Sequence, residues 1–291
     1  MQAIGFYLAL PFLYLISLLP FPILYLLSDF VFVSLFYVIG YRKKVVTQNL
    51  KNSFPKKSDK EIFELRRKFY RYLCDLFLET FKTLSISREA MVKHCRMNDS
   101  AIKLIQKYYD EKKSIILVLG HLGNWEWGGN AFSIMCRQQL YVIYHPLENN
   151  YFNKLVIGMR TRFGTKLTEM KNTFRDMVEN KKIISATAFI ADQTPQPDNA
   201  YWTNFLNQDT PVFRGTEKIS RKLNYPIVFI NVKKIKRGYY ELSAETLCEN
   251  PATTSEGEIS GLHTKKLEEE ILKNPETWLW SHRRWKHKRT Q

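Results

Sequence analysis

Apolar residues fill the start of the chain almost without interruption. Between residues 3 and 41 the only charged side chain is Asp29, and the first half of this run is nearly all Leu, Ile, Phe, Tyr and Ala. About 20 apolar residues are enough to span a bilayer. Three prolines, at positions 11, 20 and 22, would kink a helix here or split it in two. The pattern predicts an N-terminal membrane anchor over residues 1–41.

Basic residues follow the apolar run directly, at Arg42, Lys43 and Lys44. Basic residues beside a membrane segment stay on the cytoplasmic side, so we predict a membrane protein whose remaining domain, residues 42–291, faces the cytoplasm. A cleavable signal peptide fits poorly, because no Lys or Arg precedes the run and no A-x-A-like site follows it. A buried helical hairpin of a soluble domain stays open as an alternative.

Beyond Arg42 short apolar runs alternate with longer amphipathic ones. Runs of the first kind predict buried strands, at 114–119, 140–144, 183–190 and 226–232, with an antiparallel edge strand at 239–246. Runs of the second kind predict helices, at 58–83, 100–112, 125–137, 151–163, 173–180, 216–223 and 262–273. This alternation predicts an α/β fold with a single mixed, largely parallel sheet flanked by helices.

Charge and cysteine content narrow the class of protein further. The 44 Lys and Arg against 28 Asp and Glu give a formal charge of +16, which favours anionic partners such as a membrane surface, an acidic carrier protein or nucleic acid. The four cysteines form no C-x-x-C pair, which argues against a zinc cluster or a dense disulfide framework.

The segment Gly120–Gly129 carries the most informative chemistry. It reads Gly-His-Leu-Gly-Asn-Trp-Glu-Trp-Gly-Gly, directly after a predicted strand, with Asn124 placed to cap the next helix. Ligands gather where strands end and helices begin in open α/β sheets. With His121 in the turn and Glu126 in the first helical turn, the two side chains can fold back toward each other.

A histidine with a carboxylate partner can activate a hydroxyl. The neutral ring takes the proton, while the carboxylate fixes the tautomer and stabilises the imidazolium. No G-x-S-x-G elbow occurs in the chain. Zinc is disfavoured because the order is not H-E-x-x-H. From spacing alone, a turn histidine beside a surface Glu126 remains an equal alternative to a His121–Glu126 dyad.

Five blocks in order resemble the lipid A biosynthesis acyltransferases, within the lysophospholipid-acyltransferase superfamily. The similar blocks are the segment from Tyr41-Arg42 to Phe54-Pro55, the H-x4-E motif, Arg160-x-Arg162-x-Gly164, Ala191-Asp192-Gln193, and the Trp-rich stretch Trp278–Lys286. The resemblance implies a glycerolipid acyltransferase-like fold and transfer of a fatty acyl chain to a lipid hydroxyl, with His121 and Glu126 as the catalytic pair.

The resemblance also implies the partners and the binding residues. The donor would be an acyl thioester on acyl carrier protein or coenzyme A, used as co-substrate with no cofactor and no metal, and the acceptor a lipid A precursor or related lipid. The residues expected to bind substrate are Asn124, Arg160, Arg162, Asp192, Gln193, Arg283 and Arg284. An arginine can grip a phosphate through its planar fork, although Arg160 and Arg162 could also complement a helix C-terminus.

The C-terminal tail, Trp278–Arg289, mixes three Trp with five Lys or Arg. We expect it at a membrane interface, beside anionic lipid or the acidic carrier. Two other function classes stay open: a catalytically silent basic membrane adaptor, and a membrane-tethered nucleic-acid binder. No RNP, KH or zinc-finger pattern supports the latter, so no nucleic acid is expected as a partner.

Overall fold

The computed structural model describes residues 2–289, and its first two helices are apolar. Helix α1 (Gln2–Leu18) contains Pro11 in its interior, and α2 (Phe21–Val33) begins after the break at Pro20. One turn of π-helix extends α2 to Ile39. By length and composition, the stretch Phe21–Ile39 is the one helix in the described residues that could cross a membrane. The prolines therefore split the apolar run in two.

Nine further helices follow in the described chain. They are α3 (Lys43–Ser53), α4 (Asp59–Lys82), α5 (Arg88–His94), α6 (Asp99–Asp110), α7 (Trp125–Met135), α8 (Asn150–Thr161), α9 (Thr173–Glu179), α10 (Gly215–Leu223) and α11 (Glu258–Lys273). Helix α4 begins as its sequence predicts, because Ser58 and Glu61 form a capping box in which each side chain bonds the other residue's backbone.

Nine strands complete the described fold. They are β1 (Cys95–Met97), β2 (Ile115–Leu119), β3 (Gln139–Tyr144), β4 (Lys166–Glu169), β5 (Ser185–Ile190), β6 (Ala200–Phe205), β7 (Gln208–Phe213), β8 (Ile227–Lys236) and β9 (Tyr239–Cys248). Seven form one sheet in the order β1-β9-β8-β2-β5-β3-β4, in which only β8 and β9 pair antiparallel. Strands β6 and β7 form a separate hairpin.

The predicted mixed, largely parallel sheet flanked by helices is confirmed. The edge position predicted for β9 is wrong, because β1 pairs parallel beyond it through Cys95 and Tyr240. Strand β1 has only three residues, and β4 has four, so neither shows a pattern that the sequence could separate from a loop. The hairpin β6–β7 was also not predicted, since its polar residues and Pro211 hide the alternation.

Buried side chains fill both faces of the sheet. Helices α5, α6 and α7 cover one face, and α10, α11 and the C-terminal segment cover the other together with α4. Adjacent residues of β2 point to opposite sides, so that Leu117 joins the first core and Val118 the second. The sheet is thus covered on both faces, as parallel sheets require.

Helix α2 lies antiparallel along α4. The Tyr25 hydroxyl donates to Glu79 (2.9 Å), and the Ser28 hydroxyl donates to Asp75 (2.7 Å), one turn earlier on α4. Near the α1–α2 break the Lys82 ammonium donates to the Ser17 and Leu19 carbonyls, both at 2.7 Å. The N-terminal hairpin is therefore packed on the α/β domain along the length of α2.

Arg237 connects α2 and α4 to the turn between β8 and β9. Its guanidinium lies in the turn between β8 and β9 and pairs with Asp29 of α2 at 2.8 Å and Asp75 of α4 at 2.7 Å. Burial alone would lower the pKa of Arg237, but its hydrogen bonds to the two carboxylates raise it. Asp29, the one acid in the apolar run, is thereby paired with a cation.

Candidate active site

A tight turn, Gly120–Asn124, connects β2 to α7 and carries His121. Gly123 has φ +61°, and a Cβ there would lie 1.8 Å from the Val232 carbonyl oxygen of β8, so only glycine fits. The Gly123 carbonyl accepts a hydrogen bond from the Tyr72 hydroxyl at 2.6 Å. A Cβ at Gly120 would meet Leu267 at 2.6 Å. The backbone of the turn is therefore fixed by close contacts on three sides.

Asn124 and Glu79 stabilise the turn through buried hydrogen bonds. The Asn124 side chain accepts from the Trp127 amide (3.0 Å), capping α7, and donates to the Glu79 carboxylate (2.8 Å). The Tyr240 hydroxyl donates to the same carboxylate at 2.7 Å. Because Glu79 is fully buried, its pKa is raised to about 7 despite these hydrogen bonds.

Asp192 is the carboxylate that contacts His121. One Asp192 oxygen lies 2.6 Å from the ring Nδ1, and the other accepts the His121 amide (2.7 Å) and the Trp278 indole N–H (2.8 Å). The contact follows from topology: β5 pairs parallel with β2, so the residues that follow the two strands meet at one edge.

The electrostatics of this pair favour an ionised carboxylate. Burial alone would raise the pKa of Asp192, but the charge and hydrogen bonds of His121, with the Trp278 bond, lower it to about 2. With Nδ1 facing Asp192, the opposite ring nitrogen, Nε2, lies 3.4 Å from the Gln193 amide nitrogen. Nε2 is then the ring nitrogen that can accept a proton, and Gln193 beside it is part of the cavity lining.

Glu126, the partner predicted for His121, contacts Arg160 instead. The Arg160 Nε donates to the Glu126 carboxylate at 2.9 Å, and among the described residues no hydrogen bond joins Glu126 to His121. The predicted pairing is therefore corrected: Glu126 lies on the first turn of α7, facing α8, while His121 faces β5. Burial would lower the pKa of Arg160, but Glu126 raises it. A catalytic role for Glu126 stays a prediction.

These side chains border a cavity of about 470 Å³. Most of its lining, between α7 and the sheet, is apolar, and its polar groups include His121, Glu126, Arg160 and Gln193. The Trp125 ring, also part of the lining, meets the His121 ring edge to face at 4.9 Å. An apolar pocket with a few polar groups suits a ligand with a reactive head and a hydrocarbon chain.

Five of the predicted substrate-binding residues do not border this cavity. Asn124 and Asp192 are buried and engaged as described above. Arg162 donates to the Thr83 carbonyl and ties α8 to α4. Arg284 is buried and donates to the Pro211 carbonyl at 2.7 Å, and burial lowers its pKa to about 10. Arg283 is exposed and also lies outside the cavity lining.

The C-terminal segment supports the turn through Trp278 and Leu279. The Leu279 amide donates to the His121 carbonyl at 3.1 Å, and Leu122 forms an antiparallel bridge with Trp278. Trp278 and Trp280 are 2% and 0% exposed, so the interfacial position expected for them is wrong. Their apolar rings fill the core beside α4, which removes more apolar surface from water than an interface would.

Sequence reasoning missed two residues of the site, Glu79 and Trp278. Glu79 lies on α4, far from the turn in sequence, and only the pair of acids Asp75 and Glu79, one turn apart on a mainly apolar helix face, could have marked it. Trp278 was noticed as an aromatic residue, but its indole N–H partner depends on the folded tail.

Comparison with known proteins identifies the family of the chain. Residues 1–287 match the family model of the bacterial lipid A biosynthesis acyltransferases. The chain is 23% identical to the lipid A biosynthesis palmitoleoyltransferase of Escherichia coli (strain K12) over 270 residues, 92% of this chain and 86% of the relative. It is 22% identical to the lauroyltransferase of the same organism over 277 residues, 94% and 89% of the two chains. The chain therefore belongs to the bacterial lipid A biosynthesis acyltransferase family and is an acyltransferase.

Proposed function

We propose that this enzyme transfers a fatty acyl chain from a thioester donor to a hydroxyl of a lipid A precursor or a related lipid, with His121 as general base. The observation that carries the proposal is the contact between Asp192 and Nδ1 of His121, which leaves Nε2 to accept a proton on a ring that lines the cavity. A silent membrane adaptor would have no use for a histidine held in this way.

In the proposed reaction the acceptor hydroxyl donates its proton to Nε2 of His121 as its oxygen attacks the thioester carbonyl. Asp192 keeps the proton on Nδ1 and stabilises the imidazolium that forms. The tetrahedral intermediate then expels the thiolate, which takes the proton from Nε2. Transfer needs no enzyme nucleophile, since the substrate hydroxyl attacks directly.

Arg160 is proposed to bind a phosphate at the cavity lining. Glu126 fixes its guanidinium through Nε and Nη2, which leaves Nη1 without a protein partner among the described residues. The phosphate could belong to the phosphopantetheine arm of the donor or to a phosphorylated acceptor, since the planar guanidinium fork binds either one. In this proposal the side chain that Glu126 orients is that of Arg160 and not that of His121.

The donor is proposed to be a thioester on acyl carrier protein, with coenzyme A as the alternative. The formal charge of +16 favours an acidic carrier, because opposite charge speeds and orients the encounter. The acyl chain would enter the apolar part of the cavity, with its thioester at His121.

The N-terminal hairpin is proposed to attach the enzyme to the cytoplasmic face of the inner membrane. Large apolar side chains point outward from α1 and α2; Leu8, Phe12 and Leu26 are 67%, 67% and 71% exposed. Since α2 lies along α4, whose outer face carries Lys68 and Arg71, a spanning α2 would draw these charges into hydrocarbon. We therefore favour a hairpin lying in one leaflet with its outer face in lipid.

An assay with purified protein in lipid vesicles tests the proposal. The donor is the same acyl chain, supplied either on acyl carrier protein or on coenzyme A. We expect a lipid A precursor to gain the mass of one acyl chain, with higher kcat/KM for the carrier-protein thioester. Equal use of both thioesters would contradict the donor assignment. Hydrolysis of the thioester without any acylated lipid would contradict the acceptor assignment.

A further inference from the structure

Between α7 and the sheet the cavity forms a slot lined mainly by apolar side chains, with Asn130 among the polar ones. Its sheet wall is made of residues two apart on one face: Leu117 of β2, Leu140 and Val142 of β3, and Ala188 of β5. Register explains their alignment, since Ala188 pairs with both Leu117 and Val142. At Ala188 this wall carries a methyl group where its two neighbours carry branched side chains.

The helix wall of the slot carries two adjacent glycines, Gly128 and Gly129, inside α7. An interior glycine destabilises a helix relative to alanine, and an apolar cavity destabilises the surrounding core. Both features act against stability at one place. A ligand that fills the slot would account for their presence together.

The two glycines differ in how much space the surrounding atoms leave for a Cβ. A Cβ at Gly128 would lie 3.0 Å from the Val232 side chain, so close packing against β8 already explains that glycine. At Gly129 a Cβ would meet nothing nearer than Leu140, at 3.9 Å, which is ordinary contact. An alanine at position 129 would therefore fit without a steric clash. The glycine leaves the volume of that methyl group to the slot.

We propose that Gly129, together with Ala188 on the sheet wall, determines the length of the acyl chain that the enzyme transfers. The inference rests on the proposed function, because it takes the chain to lie in this slot. Burial of each further methylene favours binding about fourfold, so a wall that excludes the last methylenes removes that gain. A methyl group at 129 or a larger side chain at 188 therefore selects a shorter chain.

The test uses Gly129→Ala and Ala188→Val with a ladder of saturated acyl thioesters differing by two carbons, supplied together on acyl carrier protein. Mass spectrometry of the acylated lipid gives the chain-length profile. We expect each variant to prefer a chain one step shorter than the wild type, and the kcat/KM ratio of the longest accepted chain to the next shorter one to fall on the order of tenfold.

Gly158→Ala is the matched control. Gly158 lies on α8, is exposed, and an added Cβ would meet nothing within 4 Å, so the change raises helix propensity without entering the slot. It should keep the wild-type profile. Folded Gly129→Ala and Ala188→Val enzymes that also keep the wild-type profile would overturn the inference alone. A wild type that transfers no chain would overturn the proposed function, and the inference with it.

Discussion

Asp192→Asn is the most informative single change, because it keeps the shape of the side chain while replacing a charged carboxylate by a neutral amide. One Asp192 oxygen accepts two fixed donors, the His121 amide at 2.7 Å and the Trp278 indole at 2.8 Å. In the variant the amide oxygen should stay with these donors. The new NH2 group then faces Nδ1 of His121, where the carboxylate oxygen lies at 2.6 Å in the native protein.

An NH2 group at this place makes Nδ1 the acceptor and moves the ring proton to Nε2. His121 can then no longer take a proton at Nε2, and the imidazolium loses its counter-charge. In the Ser-His-Asp triad the equivalent change lowers kcat about 10⁴-fold with the geometry intact. We expect a loss of about 10³- to 10⁴-fold here, equivalent to about 4 to 5.5 kcal/mol of barrier.

The assay measures acyl transfer and the melting temperature of Asp192→Asn, Glu126→Gln and Asp198→Asn. Asp198 is exposed and six residues further along the chain, so it controls for the loss of a carboxylate. Asp192→Asn should lose transfer while melting near the wild type, and Glu126→Gln should lose less. A folded Asp192→Asn enzyme within about threefold of the wild type would refute the reasoning, and a larger loss in Glu126→Gln would favour a His121–Glu126 dyad.

Three further predictions concern other parts of the site. Arg160→Lys keeps the charge but loses the planar fork, so KM for the phosphorylated substrate should rise about tenfold or more at nearly constant kcat; a fall in kcat alone would point to an oxyanion role. Because burial raises the pKa of Glu79 to about 7, the folded state keeps a proton that the unfolded state releases above pH about 4. The contribution of Glu79 to the free energy of unfolding should therefore fall as pH rises from about 4 to about 7, by at most on the order of 3 kcal/mol. Because burial lowers the pKa of His263 and of His282 to about 4, these two residues contribute the opposite slope in the same range, so the measurement is the difference between urea titrations of the wild type and of Glu79→Gln, and a difference that does not change with pH would contradict the prediction. Phe12→Glu should weaken binding to anionic vesicles at high salt, whereas Leu272→Glu, at an exposed leucine on α11, should not; equal binding by both variants would show that the hairpin face is not the membrane contact.

Local patterns in the sequence predicted the elements that are marked by a capping motif or by a clear run of hydrophobic residues. The capping box at Ser58 and the apolar run before Gly120 set the start of α4 and the end of β2. The motif also located His121 correctly at the edge of the sheet. These features depend on neighbours within a few residues, and such neighbours are visible in one sequence.

The partner of His121 could not be obtained in this way. Glu126 is near His121 in sequence, whereas Asp192 becomes its neighbour only because β5 inserts beside β2 in the sheet order. For the same reason the tail was predicted at an interface: Trp278 reads as an amphipathic aromatic residue until its indole is seen to bond Asp192. Strand order and long-range contacts are set by packing, which a single sequence does not display.

The central claim is that His121 is the base for acyl transfer to a lipid hydroxyl. Its most direct test compares the wild type with His121→Ala, using purified protein, an acyl carrier protein thioester and a lipid A precursor in vesicles. The account predicts acylated lipid from the wild type and a loss of at least about 10³-fold in the variant, which should still fold and bind the vesicles. Near-normal transfer by folded His121→Ala would contradict it.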